Sequence, residues 1–442
     1  MRLRATEVAE AAGGELAGPE VEVDGATVDS RAVRGGELFV PVVAARDGHD
    51  FVPAALAAGA AAYLTSRPPV GGTAVVVADT AAALTRLGAA ARARLPDRVV
   101  GITGSVGKTS VKDLLAAVLA RPFRTAASPR SFNNELGLPL TLLNAPADAE
   151  AVVLEMGARG RGHIAALCEV ARPTVGVVTT VGMAHTELFG SVEEVAVAKG
   201  ELVEALPPSG TAVLNADQPL VAAMAGRTRA TVLRFGVAGD VRAEHVEVGD
   251  DLRARFTLVS PWGAVPVRLA ARGEHQVANA LAAAAAAVAA GATLDDVAAG
   301  LSEAAVSAWR MELVTAPSGA VVLNDAYNAN PVSTAAALRS LARLPARRRV
   351  AVLGGMAELG EGSAAAHREV GDLARSLGVR IVAVGAPDYG GEDVPDLAAA
   401  LAALGPVGEG DAVLVKGSRV HGLERLAETL VSGGAGAGTQ GA

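Results

Sequence analysis

The chain is poor in lysine. Of its 39 basic residues only Lys108, Lys112, Lys199 and Lys416 are lysines, and the rest are arginine. There is one cysteine, Cys168, so an internal disulfide is excluded. It lies among Ala165, Ala166, Leu167 and Val170, the setting of a small buried hydrophobe. Aromatic residues make up only 3%, so much of the apolar content is alanine, each residue of which buries little area. No basic arm is present, and the net charge is −8, which argues against a nucleic-acid partner. Long apolar runs are also missing. The alanine-rich stretch 280–292 falls short of the ~20 residues a bilayer crossing needs and reads as tightly packed helix, so no membrane insertion is expected. Arg2, Arg4 and Glu7 interrupt the N-terminus, which lacks the apolar core of a signal peptide, so a cytoplasmic protein is expected.

What is present supports globular folding. At 442 residues, 51% of them hydrophobic, the chain is too long for one core, and ~150 residues per domain suggests about three. Strands and helices alternate from about residue 98, the pattern of an α/β protein with parallel sheets. Apolar runs end in polar residues or glycine turns at Gly101, Glu155, His185, Asn324, Asp325 and Lys416. Ligands of open α/β sheets bind beyond the carboxyl ends of strands, where these residues fall. A charged link at 92–98 and a break at 307–310 divide the chain into 1–95, 96–308 and 309–431. The small-residue tail 432–442 is expected to be disordered.

Residues 101–109 read G-I-T-G-S-V-G-K-T between an apolar strand and a helix. Glycines let backbone N–H groups wrap a phosphate, and the helix N-terminus adds a favourable dipole. Gly104, Ser105, Val106 and Gly107 would form the cradle, Lys108 would reach the β/γ-phosphates, and Thr109 would hold magnesium. Ile102 stands where the usual spacing has glycine, so this is a variant loop. The competing reading is a glycine turn with an incidental lysine.

Glu155 ends the strand A-V-V-L-E-M-G, where a carboxylate could hold magnesium or be an ordinary strand-end glutamate. His185 follows the next apolar run and is either a structural histidine or part of the site. Residues 192–206 look helical, with Val195, Lys199, Leu202 and Leu206 on one face. Lys199 therefore interrupts an apolar stripe, where an unpaired ammonium is costly. It either snorkels to the edge, meets anions, or is converted into something other than an ammonium. In an arginine-rich chain each lysine asks for a chemical reason, since an ammonium can lose its proton and react; for Lys112 chance stays open.

These residues, with F-N-N-E-L-G-L-P at 132–139, E-M-G-A-R-G at 155–160, A-H-T-E-L-F-G-S at 184–191 and A-K-G-E at 198–201, resemble the Mur ligase family. The likeness continues through H-Q-V-A-N-A at 275–280, R-M-E at 310–312, N-D-A-Y-N-A-N-P at 324–331, M-A-E-L-G at 356–360 and K-G-S-R at 416–419. It covers nearly the whole chain, and the Y-N-A-N-P segment points to the branch that joins D-Ala-D-Ala to UDP-MurNAc-tripeptide. Gly355, where aspartate is common, and Ser131, in a loop usually richer in amides, depart from the pattern.

The resemblance implies three domains: a small α/β N-terminal one for the UDP moiety, a central P-loop ATPase with a parallel sheet, and a Rossmann-like C-terminal one for the incoming amine. D-S-R at 29–31, including Ser30 and Arg31, and D-G-H-D at 47–50 would form the UDP site. It implies ATP and Mg2+ as cofactors and a monomer. Asn133 and Asn134 would line the muramoyl substrate, and Asn279 would contact adenine. Arg310 and Asp325 would reach phosphates and ribose, while Tyr327, Asn328 and Asn330 would meet substrate. Lys108, Glu155, His185 and Lys199 would be catalytic. Thr109, Glu155, His185 and Lys199 would hold metal, Lys199 as a carbamate. The expected chemistry is phosphorylation of a carboxylate by ATP, then attack by the amine. A sibling ligase adding one amino acid or glutamate to folate, a non-catalytic nucleotide-binding scaffold, and a simple P-loop kinase are the rival readings.

Overall fold

The computed structural model describes residues 1–129, 131–182 and 189–432. It contains a six-stranded sheet at its centre, in the order Thr231–Phe235, Thr211–Asn215, Val175–Val178, Val99–Thr103, Ala151–Glu155, Thr125–Ala127. Every pairing in it is parallel. Its inner strands are buried on both faces, which is why they read as unbroken runs such as A-V-V-L rather than as alternation. A three-stranded antiparallel sheet follows at Arg242–Val248, Arg253–Ser260 and Gly263–Arg272.

The N-terminal part carries a five-stranded sheet in the order Glu15–Ala17, Ala74–Val76, Ala62–Thr65, Leu38–Phe39, Ala26–Thr27. It shares one apolar core with the central region, running from Leu3 and Leu84 to Leu154 and Leu202. The link at 92–98 is packed, not loose. Arg92 is buried, and its guanidinium donates to the carbonyls of Ala171 (2.6 Å) and Leu95 (3.2 Å).

The C-terminal part is a second six-stranded sheet, ordered Glu312–Thr315, Val321–Asn324, Asp411–Lys416, Arg348–Gly354, Arg380–Val384, Glu392–Val394. Only its first pair is antiparallel. Apolar cores cover both faces, as in a doubly wound α/β unit.

The helix that opens at the glycine-rich turn, Lys108–Leu119, is wedged between the central sheet and two helices, the alanine-rich Gln276–Ala289 and Leu294–Glu303. Small residues let them approach closely. A Cβ on Gly300 would come 2.5 Å from the Val118 Cα, closer than real contacts allow. Gly300→Ala should therefore destabilise the protein by about 1–3 kcal/mol through overpacking, despite alanine's better helix propensity. Thermal or denaturant unfolding would measure this; an unchanged or raised midpoint would contradict it.

Candidate active site

The Val99–Thr103 strand leads through the turn 104–107 into the Lys108–Leu119 helix. Ile102 is fully buried in that strand, beside Glu155 and Val177, so the turn begins at Gly104 and needs no glycine at 102. Gly104 and Gly107 have φ of 149° and 90°, the left-handed side that glycine adopts without strain. A Cβ on Gly107 would lie 2.5 Å from Asn279 Oδ1. Asn279 thus sits against the turn, its amide donating to Gln276 Oε1 at 2.8 Å. The end of the neighbouring strand holds the turn. Ser105 N donates to Thr180 O (2.8 Å) and Val106 N to Thr180 Oγ1 (3.0 Å), while Thr179 Oγ1 donates to Val106 O (2.5 Å). Thr179 and Thr180 escape a reading by motif; two hydroxyls ending an apolar run were the available signal.

Lys108 Nζ donates to Gly104 O across the turn at 2.7 Å. Although its side chain keeps some solvent contact, its protein-dense surroundings lower its pKa; Arg310 acts in the same sense and Glu155 opposes it. Glu155 is buried with both oxygens used. Oε2 accepts from Thr109 Oγ1 and Oε1 from Asn133 Nδ2, each at 2.8 Å. Arg310, from the far side of the chain, donates from a terminal nitrogen to Thr109 Oγ1 at 3.0 Å. Its guanidinium lies 4.1 Å from the Tyr327 ring centre, and Tyr327 OH donates to Ser131 Oγ at 2.6 Å. Strand ends, the F-N-N loop and the Y-N-A-N-P segment therefore meet at one point.

Lys199 occupies the buried face of the Val192–Glu204 helix. Burial holds its pKa well below the ordinary lysine value, and the Lys108 ammonium pushes it the same way. Lys108 and Arg310 thus stand beside the single carboxylate of Glu155, an excess of positive charge suited to a polyphosphate. Among the described residues no group of three His, Cys, Asp or Glu could hold a metal unaided. Magnesium does not require one: it commonly takes one or two carboxylates and completes its shell with phosphate oxygens and water. Glu155 with the Thr109 hydroxyl fits that pattern. His185 lies outside the described residues.

The remaining candidates have other partners. Asp325 forms an ion pair with Lys416 Nζ at 2.5 Å and accepts from Met311 N at 3.2 Å. Lys416 also donates to Asn328 O at 2.8 Å. Asn330 caps the Pro331–Arg343 helix by accepting from Ser333 N at 2.9 Å, and Asn134 Oδ1 accepts from Gly137 N at 2.9 Å. Arg31 is exposed and paired with Asp29 at 2.8 Å, beside Ser30. In D-G-H-D, His49 Nε2 accepts from Ser66 N at 3.1 Å, which puts the ring proton on Nδ1, facing Asp47 Oδ1 at 2.6 Å. Arg67 joins Asp47 and Asp50. This N-terminal cluster shares no hydrogen bond or ion pair with the phosphate loop among the described residues. Lys112 is buried, pairs with Asp113 at 2.9 Å and donates to Ser128 O at 2.9 Å. Cys168 is a buried hydrophobe as expected, burial pushing its thiol up to about 12.

Comparison with known proteins places this geometry. Residues 102–287 match the model of the Mur ligase middle domain, and 309–419 match that of the Mur ligase glutamate ligase domain. The UDP-N-acetylmuramoyl-tripeptide–D-alanyl-D-alanine ligase of Mycobacterium tuberculosis (strain ATCC 25618 / H37Rv) is 44% identical over 91% of each chain. Crystal structure I of MurF from Acinetobacter baumannii superposes with a TM-score of 0.88 at 32% identity, covering 98% of this chain and 99% of that one. The MurF ligase from Thermotoga maritima, in complex with ADP, superposes with a TM-score of 0.81 at 29% identity, covering 92% and 97%. With a phosphate loop, a buried glutamate and an arginine from just before the C-terminal sheet in one cluster, and relatives along almost its whole length, the chain belongs to the Mur ligase family, in its MurF branch.

Proposed function

We propose that the chain is an ATP- and Mg2+-dependent, ADP-forming ligase that joins D-Ala-D-Ala to UDP-MurNAc-tripeptide in peptidoglycan precursor synthesis. The observation that carries this is the contact of Arg310 with Thr109, which brings the C-terminal half to the phosphate loop. Residues 1–95, with Ser30, Arg31 and the Asp47–His49–Arg67 cluster, bind the UDP moiety. Residues 96–308 bind ATP, and 309–431 present the amine. The enzyme acts as a cytoplasmic monomer.

Bound ATP supplies the phosphoryl group that gives the tripeptide carboxylate a leaving group. The chain's own part is charge neutralisation and alignment. Lys108 and Arg310 meet the negative charge that spreads over the transferring group, and Glu155 with Thr109 holds magnesium. Asn133, fixed to Glu155, and Tyr327, fixed to Ser131, keep the acceptor carboxylate and the incoming amine facing each other. Closing the two halves over the reactants excludes the water that would hydrolyse the activated acyl group. His185 serves as a further metal ligand. Lys199, whose pKa burial lowers, can in its neutral form add CO2 and lose a proton to become a carbamate, an anion able to help hold magnesium; this last assignment rests on the family resemblance.

The test is phosphate release by the purified protein with ATP, Mg2+ and UDP-MurNAc-tripeptide, with and without D-Ala-D-Ala. Dipeptide-dependent release and a pentapeptide product by mass are expected. Release driven by a single amino acid would move the assignment to a sibling ligase, and none with any amine would favour a scaffold.

A further inference from the structure

Trp309 and Met311, on either side of Arg310, have φ of 60° and 53°. Large side chains rarely adopt this left-handed region, and they persist there only when their surroundings over-determine them. Here the restraints are visible. The Arg419 guanidinium lies 4.5 Å from the Trp309 ring centre, and its other side is tied to Glu424 Oε1 at 3.1 Å. Trp309 O accepts from Tyr327 N at 3.2 Å, and Met311 N donates to Asp325 Oδ1 at 3.2 Å while its side chain enters the C-terminal core. Upstream, Ser307 N donates to Asp113 Oδ2 at 2.8 Å, on the phosphate-loop helix. The segment is thus pinned to both halves, with Arg310 projecting from the strained turn onto Thr109. A right-handed conformation at Trp309 would redirect the chain and swing Arg310 away.

We propose that Trp309 and Arg419 are positioning residues for ligation: the Glu424–Arg419–Trp309 stack holds the 309–311 turn in its strained form and so aims Arg310 at the phosphate loop. This rests on the reading of Arg310 as a phosphate-binding group. Among the described residues no hydrogen bond or ion pair joins the stack to the phosphate turn or to Glu155, so its effect passes through Arg310. It also uses an arginine where lysine would not serve, because a planar guanidinium can cover an indole face and pair with a carboxylate at its edge.

The experiment compares Arg419→Gln, Trp309→Phe, Arg310→Ala and the Arg310→Ala/Arg419→Gln double variant in the full-length enzyme. Arg419 is half exposed, so its replacement leaves the fold intact, which the melting temperature checks. Arg419→Gln should lower kcat for dipeptide-dependent phosphate release about tenfold, with ATP-analogue affinity within about twofold of the parent. Trp309→Phe keeps a ring for the guanidinium and should retain most of the activity. The double variant should be no slower than Arg310→Ala alone, since residues acting through one group are non-additive. In a Trp262→Phe background Trp309 is the sole tryptophan, and Arg419→Gln should shift its emission. Parental kcat in Arg419→Gln, or additive losses in the double variant, would overturn the proposal. Parental turnover in Arg310→Ala would instead remove the underlying reading of Arg310, and the positioning role of the stack with it.

Discussion

Lys108→Ala should cut ligation by roughly 10³-fold or more while leaving binding of the UDP substrate within a few-fold of the parent. The ammonium sits over the turn on Gly104 O, next to Glu155 and Arg310, where a terminal phosphate would have to lie. Alanine removes one of the two cations that stand beside Glu155, and Arg310, which approaches from the Thr109 side, cannot reach across the turn to replace it. The fold should survive, because the lost hydrogen bond lies within the turn itself and Thr179 and Thr180 still hold that turn. Steady-state phosphate release, beside calorimetric titration of UDP-MurNAc-tripeptide, separates the two quantities. If both fall together, the turn is structural and the catalytic assignment of Lys108 is wrong.

Glu155→Gln keeps size and shape and removes only the charge. An amide can accept from Thr109 or from Asn133, not from both, so one buried partner must turn or go unpaired, a loss of about 1–3 kcal/mol in stability. The catalytic loss should be larger. Without its carboxylate the site retains Lys108 and Arg310 with no opposing charge, and the magnesium position keeps only neutral oxygens. Ligation should drop by about 10²- to 10³-fold and require more Mg2+ for half-maximal rate. Rates measured across a Mg2+ titration decide it: a parental rate with a parental Mg2+ requirement would exclude Glu155 as a metal-holding group.

What could be read in the sequence was whatever is contiguous. The phosphate turn, its glycines and the Lys108 helix are one short stretch, and backbone geometry alone demands those residues there. Glu155 was legible because a carboxylate ending an apolar run is conspicuous, and Lys199 because it breaks a helical stripe. Asn330 carries a local signal as well. Asn–Pro with serine three positions after the asparagine is a helix-start signature, and the side chain caps the Pro331–Arg343 helix. The resemblance implies that the same residue also meets substrate. Lys416, legible as a lysine ending an apolar run, proves to be buried against Asp325.

The sequence by itself determined the α/β class, the nucleotide loop and the apolar strands, because periodicity, glycine freedom and strand-end position act over a few residues. The tertiary structure alone decided which distant groups meet. Arg310 reaches Thr109 across 201 residues and Tyr327 reaches Ser131 across 196. Such pairings are set by how sheets and helices pack, and a single sequence carries no local signal for them. The same packing lowers the pKa of Lys199 and lets Trp309 and Met311 stay in a hand that an isolated peptide would abandon.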